Sequence, residues 1–287
     1  MALSDATNAN APIVLTTDFG LADPYAGVMK GVILGINPAA TLIDLSHQIH
    51  PQNIRQAAFI LGASYRLFPQ GSIHVAVVDP GVGTGRRALL VETPTAYFLA
   101  PDNGLLSYVL RDYLGESPGE QGRVSLPANW QAYQLTNERY WLHPVSNTFH
   151  GRDIFAPVAA HLSLGVPAHE LGEPVSEVVW LPAPQLSEHD GTLHGEVIYA
   201  DHYGNLVTNV PAERIGDAAA TSVEIKGHRI SGVSRTFQTD DGRDSETLLA
   251  LLGSLGYLEI AVANGNAAQI LDAGPGEPVR VTPSRPS

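Results

Sequence analysis

The sequence predicts an α/β protein: an N-terminal open α/β sheet domain with helices on both faces, followed by a smaller C-terminal all-β, barrel-like domain. Three observations carry this expectation. Short apolar runs alternate with helical patterns through the first third of the 287 residues. A polar stretch with two prolines, PAPQLSEHDG, follows Leu181 and runs to Gly191. Beyond it, helical periodicity gives way to short strand-like runs between Gly- and Asn-rich turns. The expected parts are a flexible leader at 1–11, an α/β domain at 12–182 and a β domain at 191–287.

Ile13-Val14-Leu15 is the first strand, entering Thr-Thr-Asp-Phe-Gly. A helix follows, with Tyr25, Val28, Met29, Val32, Ile33 and Ile36 at helical spacing, Asp23 as its cap and Pro24 at its first position. Thr41–Leu45 is a second strand. Ile54, Ala58, Leu61 and Tyr65 mark one face of a second helix that stops near Pro69, and Ile73–Val78 is a third strand. Strand, helix, strand, helix, strand is the order that builds parallel strands with covering helices. Ala88–Glu92 and Tyr97–Ala100 read as strands, Leu105–Leu110 as the start of a short helix, and Asp153–Leu164 as another helix. In the second domain the strand candidates are Gly195–Tyr199, Ser222–Ile225, Tyr257–Ala263 and Pro278–Val281.

The composition narrows the function classes. With 44% hydrophobic residues the chain can build a core. Twenty-nine acidic residues against 16 basic ones give a net charge of −13, which repels a polyanion and argues against a nucleic-acid partner. The absence of cysteine excludes disulfides, thiolate catalysis and thiolate-ligated zinc. Apolar runs such as Val75–Val78 fall far short of the ~20 residues of a membrane-spanning helix. Met1–Ala11 lacks the basic and apolar segments of a secretory leader, so the expected location is the cytoplasm, with no membrane contact.

Five segments hold candidate chemistry. In TTDFG (16–20), Asp18 stands at a strand end, where a carboxylate can accept both hydroxyls of a ribose. The same residues would serve as a helix-entry turn. The Asp-Phe-Gly triplet is not that of a protein kinase, because no glycine-rich loop precedes it and no His-Arg-Asp catalytic loop occurs. In VVDPGVGTGRR (77–87), Asp79 ends a buried strand, and a glycine-rich loop can fold an arginine back onto it. A surface turn closed by an ion pair would look alike. In NTFHGRDIFAP (147–157), His150 precedes a helix start and is suited to proton exchange near neutrality, although it is one of 11 histidines. DHYGNLVTN (201–209) and GSLGYLEIAVANGNAA (253–268) mix polar side chains with glycine turns. Asp201 could hold an ammonium group, Asn205 can donate and accept, and the backbone at Val262 could read a purine edge. Hairpin chemistry explains these segments equally well.

Taken in this order, the five segments resemble the S-adenosyl-L-methionine hydroxide adenosyltransferase family, which is related to enzymes that fluorinate or chlorinate the same substrate. The similarity spans about residues 12–270. It implies hydrolysis of S-adenosyl-L-methionine to adenosine and L-methionine by water or hydroxide attacking C5′, with no cofactor and no metal. It also implies an Asp-Arg-His constellation at Asp79, Arg86 and His150, Arg87 being the alternative to Arg86, and a ribose-binding Asp18. Substrate contacts are implied for Phe149, Asp201, Tyr203, Asn205, Ser254, Glu259 and Val262. In this reading Asp79 orients the water, His150 helps take its proton and Arg86 fixes the carboxylate. A homotrimer with each site between subunits is implied as well.

Three other functions compete. A halogenase would use the same substrate, but a carboxylate beside the attacking site disfavours a halide. A non-catalytic sensor of S-adenosyl-L-methionine or adenosine would bind without turnover. A metal-dependent hydrolase could use Asp18, Asp23, Asp79, His150 and Asp153 as oxygen and nitrogen donors, yet paired-histidine metal motifs are absent.

Overall fold

The computed structural model describes residues 11–114, 120–237 and 247–284. The leader expected at 1–11 lies, apart from Ala11, outside the described residues. The chain divides into two compact units, with the boundary between Ala183 and Pro184.

The first unit contains β1 (Ile13–Thr17), α1 (Tyr25–Ile36), β2 (Leu42–Ser46), α2 (Ile54–Ser64), β3 (Ser72–Val77), β4 (Ala88–Glu92), β5 (Ala96–Pro101), α3 (Ser107–Leu114), β6 (Gly122–Ser125), β7 (Gln131–Leu135), α4 (Ala156–Ser163), β8 (Gly172–Val175) and β9 (Glu177–Trp180). Seven strands form one sheet in the order β2-β1-β3-β5-β4-β7-β8. β1, β2, β3 and β5 run parallel, while β4 lies antiparallel to both β5 and β7. The central strands are buried on both faces, which explains why they read as continuous apolar runs.

Strand alternation sends neighbouring side chains to opposite faces. Ile13, Leu15, Ile73 and Val75 pack with Met29 and Ile33 of α1 and with α4. Ala76, Val78 and Phe98 pack with Leu61 of α2 and Val109 of α3. Helices therefore cover both faces, as expected. Two local expectations fail. No side chain caps α1: Pro24 occupies the cap position, and Asp23 makes no capping bond. Tyr25 and Val28 are exposed rather than in the core, and the buried face of α1 is Ala26, Met29 and Ile33. By contrast α2 is properly capped, the Asn53 side chain accepting from the Gln56 amide at 3.0 Å.

The helix expected from Asp153 begins as a π-helical turn, Gly151–Phe155, before α4. Pro157 explains the change: it has no amide hydrogen to give the carbonyl of Asp153, and that carbonyl accepts from Leu142 instead, at 2.8 Å.

The second unit contains β10 (Ser187–His189), β11 (Thr192–Ala200), β12 (Leu206–Pro211), β13 (Asp217–Ile225), β14 (His228–Ser231), β15 (Leu248–Leu252), β16 (Tyr257–Val262), α5 (Ala267–Leu271) and β17 (Pro278–Ser284). The main path is β14-β13-β17-β11-β12-β16-β15, antiparallel throughout. A bridge between Ser234 and Leu251 brings the two ends together in a nearly closed barrel around Val197, Leu206, Val223, Leu258, Ile260 and Val281. Part of the expected linker is structured. β10 pairs with β11 through Asp190 and Gly191, whose φ angles of 50° and 76° suit a tight hairpin turn.

Candidate functional site

β1 and β3 are parallel neighbours in which Thr17 stands opposite Val77. Asp18 and Asp79 therefore leave the same end of the sheet on adjacent strands, beyond the carboxyl ends where open α/β sheets bind ligands. A cavity of about 380 Å³ opens there, and Asp18, Asp79, Phe149 and His150 all border it.

The loop after β3 folds back as the glycine spacing suggests. Arg86 Nε lies 2.9 and 2.8 Å from the two oxygens of Asp79, and its Nη2 also contacts Asp79 Oδ2. The pair is nearly buried, with Arg86 and Asp79 side chains 10% and 5% exposed. Gly83 has φ +75°, and a Cβ there would lie 2.2 Å from the carbonyl oxygen of Asn147. Only glycine lets this loop dock so closely on the segment that carries His150.

His150 immediately precedes the π-helical turn. Behind it, the fully buried Asp153 accepts the Ser146 amide at 2.8 Å and the Arg152 side chain at 2.5 and 2.9 Å. Arg86 Nη2 lies 2.8 Å from His150 Nδ1. A guanidinium only donates, so Nδ1 accepts and the neutral ring carries its hydrogen on Nε2. Burial, reinforced by the charge of Arg86, pushes the His150 pKa below its ordinary value, while Asp79 and Asp153 oppose the shift. Phe19, Tyr25 and Phe149 meet edge to face, with centroids 5.2 to 5.8 Å apart, and form an aromatic wall.

Arg87 is engaged elsewhere. It bonds Asp102 at 2.8 and 2.6 Å and the carbonyl of Glu177, so Arg86 is the arginine beside Asp79. Asp18 accepts the backbone amide of Gln52 at 2.7 Å. Gln52 and the aromatic residues Phe19 and Tyr25 were not singled out in the sequence. Gln52 acts through its backbone, which leaves no side-chain signature.

Asp201, Tyr203, Asn205, Ser254, Glu259 and Val262 all border a cavity of about 1020 Å³ in the second unit. The carboxylate of Asp201 is heavily used within its own turn: it accepts from the amides of Tyr203 and Asn205 at 2.9 and 2.8 Å and from Asn205 Nδ2 at 2.8 Å. An ammonium contact would come in addition to that clasp. The Val262 carbonyl accepts from Gly265 at 3.2 Å. Glu259 is buried, and that burial, with Asp201 nearby, raises its pKa. A Cβ on Gly253 would sit 1.7 Å from Glu259 Oε1, so glycine there makes room for the carboxyl group. Arg235, Thr236 and Phe237 also line this cavity and were missed, because nothing in GVSRTF marks them out.

Among the described residues, no three His, Asp or Glu side chains are grouped to hold a metal ion. Asp153, one of the five donors considered for such a site, is committed to Ser146 and Arg152.

The profile of the SAM hydroxide adenosyltransferase N-terminal domain matches residues 13–172, and that of the C-terminal domain matches 195–280. The chain is 39% identical over 279 residues to a Thermus thermophilus protein named (R)-S-adenosyl-L-methionine hydrolase, covering 94% of this chain and 99% of that one. A fluorinase from an Actinoplanes species is more distant, 27% identical with 64% and 65% coverage. A solved structure described as an uncharacterized conserved protein from Thermotoga maritima superposes with a TM-score of 0.82 at 34% identity, covering 94% of this chain and 99% of that one.

Proposed function

Because the chain belongs to the S-adenosyl-L-methionine hydroxide adenosyltransferase family, we propose that it is an enzyme that hydrolyses S-adenosyl-L-methionine to adenosine and L-methionine. The observation that carries this reading is the joined Asp79, Arg86 and His150 at a cavity that Asp18 also borders.

In the substrate, sulfur bears a positive charge and C5′ is open to in-line displacement by an oxygen nucleophile, with methionine leaving as a neutral thioether. Water needs to be held opposite that sulfur and relieved of one proton. Asp79 Oδ1 accepts one bond from Arg86 and Oδ2 accepts two, so Oδ1 is the better placed to accept a hydrogen bond and then a proton from water. His150 offers Nε2–H to the water oxygen, which revises its expected part: it orients the nucleophile, and Asp79 takes the proton. Arg86 holds both partners in register. Asp18 accepts ribose hydroxyls beside Phe149, and the pocket with Asp201, Tyr203, Asn205, Ser254, Glu259 and Val262 serves the adenine and amino-acid ends. No cofactor or metal is required by this chemistry.

The name of the Thermus thermophilus relative specifies the (R) sulfonium, and we extend that preference to this chain. The carboxylate of Asp79 disfavours a halide nucleophile, which supports hydrolysis over halogenation. We also carry forward a homotrimer and a cytoplasmic location, where S-adenosyl-L-methionine is made and used. No helix among the described residues is long and apolar enough to cross a membrane.

Incubation with the two sulfonium epimers, followed by chromatography, tests the reading. Equimolar adenosine and methionine, formed chiefly from the (R) epimer, are expected. Ligand returned intact would indicate a sensor, and 5′-halo-adenosine formed with added halide would indicate a halogenase. Sedimentation and cell fractionation address the assembly and the location.

A further inference from the structure

A second chain of polar side chains stands behind Asp18, separate from the Asp79 constellation. Lys30 Nζ donates to Asp44 Oδ2 at 2.6 Å. Asp44 Oδ1 lies 3.0 Å from His47 Nε2, and His47 Nδ1 lies 2.8 Å from Thr17 Oγ1. Thr17 Oγ1 accepts the amide of Phe19 at 3.2 Å, and the carbonyl of His47 accepts the amide of Gly20 at 2.7 Å. Thr17 and His47 are 0% and 3% exposed.

The direction of each bond follows from the donor inventory. A carboxylate only accepts, so His47 Nε2 gives its hydrogen to Asp44. In the tautomer with its hydrogen on Nε2, Nδ1 accepts the hydroxyl hydrogen of Thr17, and the Thr17 oxygen keeps a lone pair for the Phe19 amide. The order Thr, His, Asp is that of a hydrolytic triad, but a hydroxyl with no solvent exposure cannot reach a substrate. The side-chain relay ends instead on the Phe19 amide, next to Asp18, while the backbone carbonyl of His47 holds the Gly20 amide. Gln52, at φ +65°, latches the carboxylate itself with its amide.

We propose that Lys30, Asp44, His47 and Thr17 form a positioning relay that fixes the Asp18 carboxylate for the two hydroxyls of a ribose, with Thr17 and His47 as positioning residues. This rests on the reading of Asp18 as the ribose-binding group. The relay converts an exposed ion pair between α1 and β2 into a fixed turn at the end of β1. A carboxylate held this way recognises a diol without first losing rotamer freedom.

The test compares affinity for adenosine and for 2′,3′-dideoxyadenosine in the full-length protein. A variant that merely loosens the pocket weakens both ligands alike, whereas a displaced Asp18 lowers their ratio. Wild type should prefer adenosine by about tenfold or more, the effect of a charge-assisted hydrogen bond. Asp18→Ala should abolish the preference, Thr17→Val should reduce it about fivefold or more, and Thr17→Ser should restore it. Asp44→Ala, at the exposed end, should reduce it about two- to threefold and decides the matter if Thr17→Val does not fold. If Thr17→Val and Asp44→Ala keep the full ratio while Asp18→Ala loses it, the relay is overturned and the reading of Asp18 stands. If Asp18→Ala keeps the ratio, the reading of Asp18 fails and the relay with it.

Discussion

Arg86 Nη2 and His150 Nδ1 are 2.8 Å apart, so one guanidinium sets the tautomer of the ring and, with burial, holds its pKa below the ordinary 6.5. Burial is the larger cause and the charge of Arg86 the second. Removing that charge should raise the midpoint. We therefore expect the His150 ring proton resonance to titrate at higher pH in Arg86→Gln than in wild type, as followed by NMR. A midpoint that stays or falls would show that Arg86 does not act on this ring. In wild type, any loss of turnover caused by protonation of this ring should have its midpoint below 6.5.

Asp79→Asn should leave substrate binding measurable while kcat falls about 10²–10⁴-fold, the usual scale for losing a positioned base. The amide keeps nearly the same shape but leaves the nearly buried Arg86 without its counter-charge, so denaturant unfolding of the variant accompanies the kinetics. Single-turnover kinetics with a parallel binding isotherm would separate the two effects. A kcat within about twofold of wild type would remove Asp79 from the chemistry.

Much of this site was legible because Asp18 and Asp79 follow wholly buried apolar strands, and a parallel sheet brings such ends together. The choice between Arg86 and Arg87 was not legible: adjacent side chains leave a chain on opposite sides, and it is their partners in the fold, Asp79 for Arg86 and Asp102 for Arg87, that separate them. β7 and β12 were passed over, since QAYQL and LVTNV carry polar residues that pair or bury within the fold, such as Thr208, which donates to the Leu258 carbonyl at 2.8 Å. Asp23 looked like a cap by residue type alone, but Pro24 occupies the cap position itself. For Asp201 the sequence leaves a ligand-binding acid and a hairpin residue equally open, and its three bonds to its own turn depend on backbone geometry that composition does not encode.

Gly83→Ala should damage the site from outside it. The residue adopts φ +75°, and the added Cβ would meet the Asn147 carbonyl at 2.2 Å, forcing the loop off the His150 segment. A stability loss of about 1–3 kcal/mol is expected from the strained conformation, together with a lower kcat as Arg86 and His150 separate. Denaturant unfolding and steady-state kinetics would check both. Wild-type values for each would mean that the loop does not depend on this contact.

His74 lies within β3, 1% exposed, stacked on Phe98 at 5.2 Å with the edges of Tyr65 and Phe68 beside it. Neither ring nitrogen has a hydrogen-bond partner among the described residues. Burial pushes its pKa down from 6.5 to about 4. Between those values the unfolded chain binds a proton that the folded chain refuses. Stability is therefore full above pH 6.5 and lost progressively as pH falls, until the folded ring also protonates near 4. At about 1.4 kcal/mol per pH unit, the loss approaches roughly 3 kcal/mol. Phenylalanine fits the same aromatic surroundings without a group to protonate. His74→Phe should thus flatten the acid limb, its stability at pH 5 relative to pH 7.5 falling less than that of wild type by about 1–2 kcal/mol. Urea unfolding at the two pH values measures this, and parallel losses in the two proteins would show that His74 is not the group responsible.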